Sequence, residues 1–383
     1  MQEGEDVKAG VKEERPAVVT ETSKQAGERR NDIDWLRIFA TYLLFIYHVA
    51  KIFDATPFMH IKNSVISDAA GVFTWSIKLW HMPLFFLLAG WAAAGSLRKR
   101  GAIEFAKERV SRLLTPFIAG CCLLCPPMVY LELRNRPDFN MSFLEFLPRF
   151  FTSMHYFSWS HLWFLAYLIT FTLLYFPLMH WLSKKEGPAL GVSVVWVYLP
   201  IIPLMLIQAG LRERWPGFQN LYGDWANFAY FSAFLMLGFL FAQFRALEHA
   251  VCKEWARTLL IGIVAIVIVD FMDIERRPKT TWGVTAFAGY FTVIGLLGFA
   301  RRYLSFDHRF LPYLRESAYP VYILHQLGIV VPGFFIIKLS WGIPEKYAVI
   351  LILAVISVMS VYHFMVRRIP LLRFLFGMKS PRS

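Results

Sequence analysis

Residues 35–53, Trp35 to Phe53, read WLRIFATYLLFIYHVAKIF. In an α-helix this stretch rises about 28 Å, close to the roughly 30 Å of a bilayer's hydrocarbon core. Nearly every side chain is apolar, yet Arg37 and His48 lie inside it, where an ionisable group is costly and tends to face a cavity or a partner. Eleven residues separate them. That spacing rises about 16 Å and turns three times plus about 20°, so both side chains leave one helical face at different depths.

The rest of the chain is made for the same solvent. It is 57% hydrophobic and 17% charged, with mean hydropathy +0.46. Ten apolar runs of membrane-crossing length are expected, at 35–53, 72–97, 113–133, 161–182, 190–208, 228–244, 255–272, 282–303, 317–339 and 347–366. The fold class is therefore all-α, a polytopic integral membrane protein of about ten transmembrane helices. With the N-terminus placed in the cytoplasm, segments on that side hold 26 Lys and Arg against 13 on the other, apart from Arg37. This alternation follows the positive-inside rule and puts both termini in the cytoplasm. It also accounts for the net charge of +13 as membrane orientation. No basic patch interleaved with stacking aromatics lies outside the spans, so no nucleic-acid partner is expected.

Residues 1–33 are polar and poor in large apolar side chains, as in a disordered cytoplasmic tail. A transmembrane domain is expected over 34–373 and a short cytoplasmic tail over 374–383. No cleavable signal pattern precedes Asp34, which makes the first span an uncleaved anchor. The connection 134–160 is the long one; its stretch 143–157, with Arg149 among aromatics, has the composition of an amphipathic interfacial segment. Cys121, Cys122, Cys125 and Cys252 lack the paired spacing or His partners of a zinc site, so packing is their expected role and no metal site is assigned. No phosphate-binding glycine loop and no Gly-x-Ser-x-Gly elbow occur. Any chemistry belongs to the membrane-embedded groups. Besides Arg37 and His48 these are His81, His161 and His325, which places fixed positive charge toward the cytoplasm and titratable bases further out.

Four segments in order carry a resemblance. Ile33-Asp34-Trp35-Leu36-Arg37 followed after ten residues by His48, then His81-Met82-Pro83-Leu84-Phe85-Phe86-Leu87-Leu88-Ala89-Gly90, Ser160-His161-Leu162-Trp163-Phe164-Leu165, and Tyr322-Ile323-Leu324-His325 resemble the motifs of the membrane acyltransferase-3 family. Arg98, Arg109, Arg112 and Pro116 resemble its basic inner loop. The likeness runs from Ile33 to about Arg373 and is nearest to the branch of the osmoregulated periplasmic glucan succinyltransferase, from which His81 departs in residue type. It implies a bacterial inner-membrane O-acyltransferase. The group moved, acetyl or succinyl, passes from cytoplasmic acyl-CoA to a hydroxyl of an extracytoplasmic glycan, with no bound cofactor, in contact with the lipid bilayer and with glycan-assembly proteins as partners.

On that resemblance, Arg37 with Asp34, Arg98, Arg109 and Arg112 would hold the donor, because guanidinium suits phosphate oxygens. His48 would act as general base toward the glycan hydroxyl or as a transient acyl carrier. His325 would be the second titratable group, Tyr322 a donor to the developing oxyanion, and His81, His161 and Trp163 acceptor-side residues. Plain alternatives exist: Asp34 as a helix cap, Arg37 snorkelling to the interface, and the histidines and Trp163 as core groups. A transporter of a small acylated or anionic solute would also place polar groups at mid-membrane, but should show related halves with matching broken helices, which the sequence lacks.

Overall fold

The computed structural model describes residues 30–57, 59–185, 192–272 and 278–379, and every regular element among them is helical. In chain order these are α1 (Asn31–Ala50), α2 (Asp68–Lys99), α3 (Ala102–Leu123), α4 (Cys125–Arg134), α5 (Phe143–Thr152), a 3-10 turn (Ser160–Leu162) leading into α6 (Trp163–Ser183), α7 (Val195–Tyr198) and α8 (Ile201–Leu211). Then follow α9 (Trp225–Gln243), α10 (Arg245–Phe271), a 3-10 turn (Lys279–Trp282) leading into α11 (Gly283–Tyr303), α12 (Leu311–Ile336), α13 (Ile343–Ser360) with a π-helical extension Val361–Val366, and α14 (Pro370–Leu375). Eight helical stretches among the described residues are long and apolar enough to cross a membrane. The protein is a multi-pass membrane protein.

Each of the ten expected spans falls on helix, with three qualifications. Residues 190–208 form a short, broken pair, α7 and α8, interrupted at Leu199 and Pro200 because proline has no N–H to continue the ladder; residues 190 and 191 lie outside the described set. The run 255–272 is the apolar half of α10, a helix of 27 residues that carries Glu254, Arg257 and Asp270. Pro126 and Pro127 likewise divide α3 from α4 at Leu124.

The helices begin earlier than hydropathy suggests wherever charges are paired. Most of the expected tail 1–33 lies outside the described residues, but 31–33 already belong to α1, where Arg30 donates to Asp32 at 2.9 and 2.6 Å and meets Glu248 at 2.6 Å. α12 starts at Leu311 rather than 317, which puts Arg315 inside the helix. Of the expected C-terminal tail, α14 covers 374 and 375, and 380–383 lie outside the described residues.

α1 packs on α12, α12 on α13, α2 on α9, and α10 on α11. The α2–α9 crossing is glycine against backbone: a Cβ at Gly90 would overlap the Leu235 carbonyl, and one at Gly238 the Leu87 carbonyl. Close approach through small residues is the usual means of helix association in lipid. Leu173, Leu174, Ile263, Val267, Ile352 and Ile356 remain exposed, as expected of lipid-facing surface. The amphipathic segment is α5, closed at its start by a Ser142–Glu145 capping box; Phe146 and Phe150 are buried while Leu144 and Phe151 are exposed.

Candidate active site

α1 and α12 lie side by side and run in the same direction, and each carries an arginine near its start and a histidine further along. Arg37 donates to Asp34 at 2.5 Å, and Arg315 donates to the other Asp34 oxygen at 3.2 Å. Asp34 ties the two arginines together. Ten residues past Arg315, about 15 Å up the helix, the His325 ring lies 5.1 Å from that of His48. The spacing of Arg37 and His48 is thus matched by an aligned pair on a neighbouring helix.

The 3-10 turn before α6 adds a third imidazole. The His161 ring is 5.0 Å from that of His325, nearly perpendicular to it at 80°. Hydrogen bonding fixes what these rings can do. His325 Nδ1 lies 2.6 Å from the Tyr322 carbonyl, and His161 Nε2 lies 2.9 Å from the Ile323 carbonyl. A carbonyl only accepts, so each of those nitrogens carries the proton, and in the neutral ring the opposite nitrogen presents a lone pair. Those opposite nitrogens, His325 Nε2 and His161 Nδ1, are buried without a partner, as is His48 Nδ1. Buried polar atoms are nearly always paired. Three unpaired imidazole nitrogens thus meet on adjacent rings, and in the neutral rings those of His325 and His161 can accept a proton. Among the described residues, no three His, Cys, Asp or Glu side chains are arranged to hold a metal ion.

The remaining expected site residues are placed as follows. Tyr322 donates its hydroxyl to the His161 carbonyl at 2.9 Å, so here it fastens the 3-10 turn to α12 instead of presenting its proton to the centre. His81 is 2% exposed and bonds the Ala40 carbonyl at 2.8 Å, joining α2 to α1. Trp163 is buried against Phe86, Tyr167 and Phe231. Both side chains lie inside the packed bundle. Of the basic loop, Arg98 donates to the Ala242 carbonyl at 2.7 Å, Arg109 stacks over Phe105, and Arg112 faces Glu108 at 3.5 Å. Tyr319 donates to the Arg112 carbonyl at 2.9 Å and stacks on Tyr322, which links this loop to the histidine centre along α12.

At the far ends of α1 and α12 from the arginines, the connection 51–67 is held by a buried carboxylate. Asp54 accepts from Lys62 at 2.7 Å and Thr74 at 2.8 Å, and pairs with Lys51 at 2.9 Å. Burial alone would raise its pKa; the hydrogen bonds from Lys62 and Lys51 outweigh this and hold it below the ordinary carboxylate value.

Residues 30–365 match the family described as acyltransferase domain. The chain belongs to this acyltransferase family. The acyltransferase is also similar to glucans biosynthesis protein C of Salmonella paratyphi B and of Salmonella dublin, each 22% identical over 374 residues that span 91% of this chain and 94% of the relative. The corresponding protein of Salmonella gallinarum is likewise 22% identical. No solved structure matches the chain.

Sequence reading missed Arg315, Asp54 and Tyr319. Arg315 carries a usable signal, a second Arg-to-His spacing of about three helical turns, but it lies just outside the apolar run 317–339. Asp54 left none, since its partners come from 51, 56, 62 and 74 and meet only in the folded connection.

Proposed function

We propose that this acyltransferase moves an acyl group, acetyl or succinyl, from cytoplasmic acyl-CoA to a hydroxyl of an extracytoplasmic glycan, in the inner membrane and with both termini cytoplasmic. The observation that carries this reading is the buried centre of His48, His161 and His325, which stands between an arginine-bearing face and the opposite face of one bundle. Arg37 and Arg315, fixed by Asp34, offer planar donors to the donor's phosphates, with Arg112 and Arg109 adjoining through Tyr319. The pantetheine arm then brings the thioester about 15 Å deeper, to the imidazoles. His48 takes the proton of the attacking hydroxyl, and His325, through its unpaired Nε2, passes it on to the leaving group. The glucan-related names of the relatives support a carbohydrate acceptor. So does an open surface depression on the face opposite the arginines, lined by Arg136, Asp138, Asn140, Arg149 and Tyr156; such planar polar and aromatic groups suit sugar hydroxyls and rings.

Free-CoA release from acetyl-CoA and succinyl-CoA in vesicles exposing the arginine face, with glycan extract inside, tests this. Wild type should release CoA, and His48→Ala should lose at least roughly a hundredfold while remaining folded in the membrane. Equal release by the variant would remove His48 from the chemistry, and no release with either donor would overturn the donor assignment.

A further inference from the structure

Outside the histidine centre, a second set of groups with chemical capacity meets on the face opposite the arginines. His60, in the connection after α1, lies with Nδ1 2.6 Å from Glu132 Oε2 at the end of α4. Its Nε2 is hydrogen-bonded to Ser160 Oγ at the start of the 3-10 turn. Hydroxyl, imidazole and carboxylate are therefore in series, the order in which a base oriented by an acid activates a nucleophile. Three separate parts of the chain, 72 and 100 residues from His60, supply them. The His60 side chain is 11% exposed and Glu132 34%, so the set borders the surface while its imidazole is largely screened from water.

Ser160 itself has φ +50°, a left-handed conformation that non-glycine residues adopt at a cost and that recurs where a side chain must be held for function. It is followed directly by His161, whose ring touches that of His325. The hydroxyl thus adjoins the proposed acyl-transfer centre.

We propose that Ser160, His60 and Glu132 form an acyl relay in which Ser160 carries the acyl group as an ester before the acceptor hydroxyl removes it; this rests on the acyl-transfer reading above. In the first step Ser160 Oγ bonds to the acyl carbonyl carbon and its proton passes to His60 Nε2. The carbon–sulfur bond then breaks, and the departing thiolate takes that proton. In the second step the acceptor oxygen bonds to the same carbon and gives its proton to His48, from which the adjoining imidazoles return it to His60 Nε2. The carbon–Oγ bond breaks, and Ser160 regains the proton. Glu132 holds Nδ1–H and stabilises the imidazolium in both steps. A covalent relay lets donor and acceptor visit the site in turn from opposite faces.

The test is labelling of the full-length protein in native membranes with a fluorophosphonate, which needs an activated serine but neither acyl donor nor acceptor, so it reads the triad even if the donor assignment fails. Wild type should be labelled on the peptide containing Ser160. Ser160→Gly, which suits the left-handed backbone, should lose the label, and Glu132→Gln should slow labelling by roughly a hundredfold. Ser160→Cys keeps the side chain nearly isosteric and should instead show alkylation by iodoacetamide at position 160 that falls when His60→Gln is added. Absence of label on wild type, label unchanged in Ser160→Gly, or glycan acylation by Ser160→Gly at the wild-type rate would each overturn the relay.

Discussion

At the scale of single residues, the site depends on which atoms are paired and which are left open. His325 and His161 each spend one nitrogen on a backbone carbonyl, at 2.6 and 2.9 Å, and so present the other as a base in a defined direction. Asp54 does the reverse: Lys51, Lys62 and Thr74 surround its carboxylate and keep it ionised. Because its folded pKa lies below its ordinary value of 3.8, its stabilising contribution is complete above that value and is lost as pH falls through the lower, folded pKa. Protection against hydrogen exchange in the 51–67 connection, relative to the unfolded rate at each pH, should therefore hold down to about pH 4 and fall below it. Asp54→Asn should remove that protection at neutral pH, leaving two ammonium groups without their carboxylate at a cost of about 3 kcal/mol, the low end for a buried pair because Lys62 is 28% exposed. Unchanged exchange in the variant would show that the connection is held by packing alone.

At the scale of elements, the registration of α1 with α12 and the contact of α2 with α9 set the geometry. The first is fixed at two heights, by Asp34 between Arg37 and Arg315 and by the ring contact of His48 with His325. The second depends on Gly90 and Gly238, each facing a carbonyl of the other helix. Gly238→Leu should force the helices apart and lower the stability of the detergent-solubilised protein by about 3 kcal/mol, seen as a lower midpoint in thermal unfolding. Since α2 also anchors α1 through His81 and Ala40, transfer activity should fall with it. An unchanged midpoint would mean that the crossing tolerates a wider gap than its geometry indicates.

At the scale of the whole molecule, charge and chemistry are divided between faces. Arg37, Arg98, Arg112 and Arg315 gather at one end of the bundle; His60, Glu132, Ser160 and the Asp54 network gather at the other. Proteoliposomes of known orientation should transfer only when the acyl donor is supplied at the arginine face and the acceptor at the opposite face. Transfer with both confined to one side would refute the trans-bilayer arrangement. The sequence by itself determined the helical class, the ten apolar stretches, the shared face of Arg37 and His48 and the family, because hydropathy and helical periodicity are local properties written in consecutive residues. Tertiary structure alone decided that His161 joins His48 and His325, that Asp34 serves two arginines, that Tyr322 and His81 are fasteners, and that His60, Glu132 and Ser160 meet. Those facts depend on distances between residues as many as 281 positions apart, and they arise from how the helices pack, which no local pattern encodes.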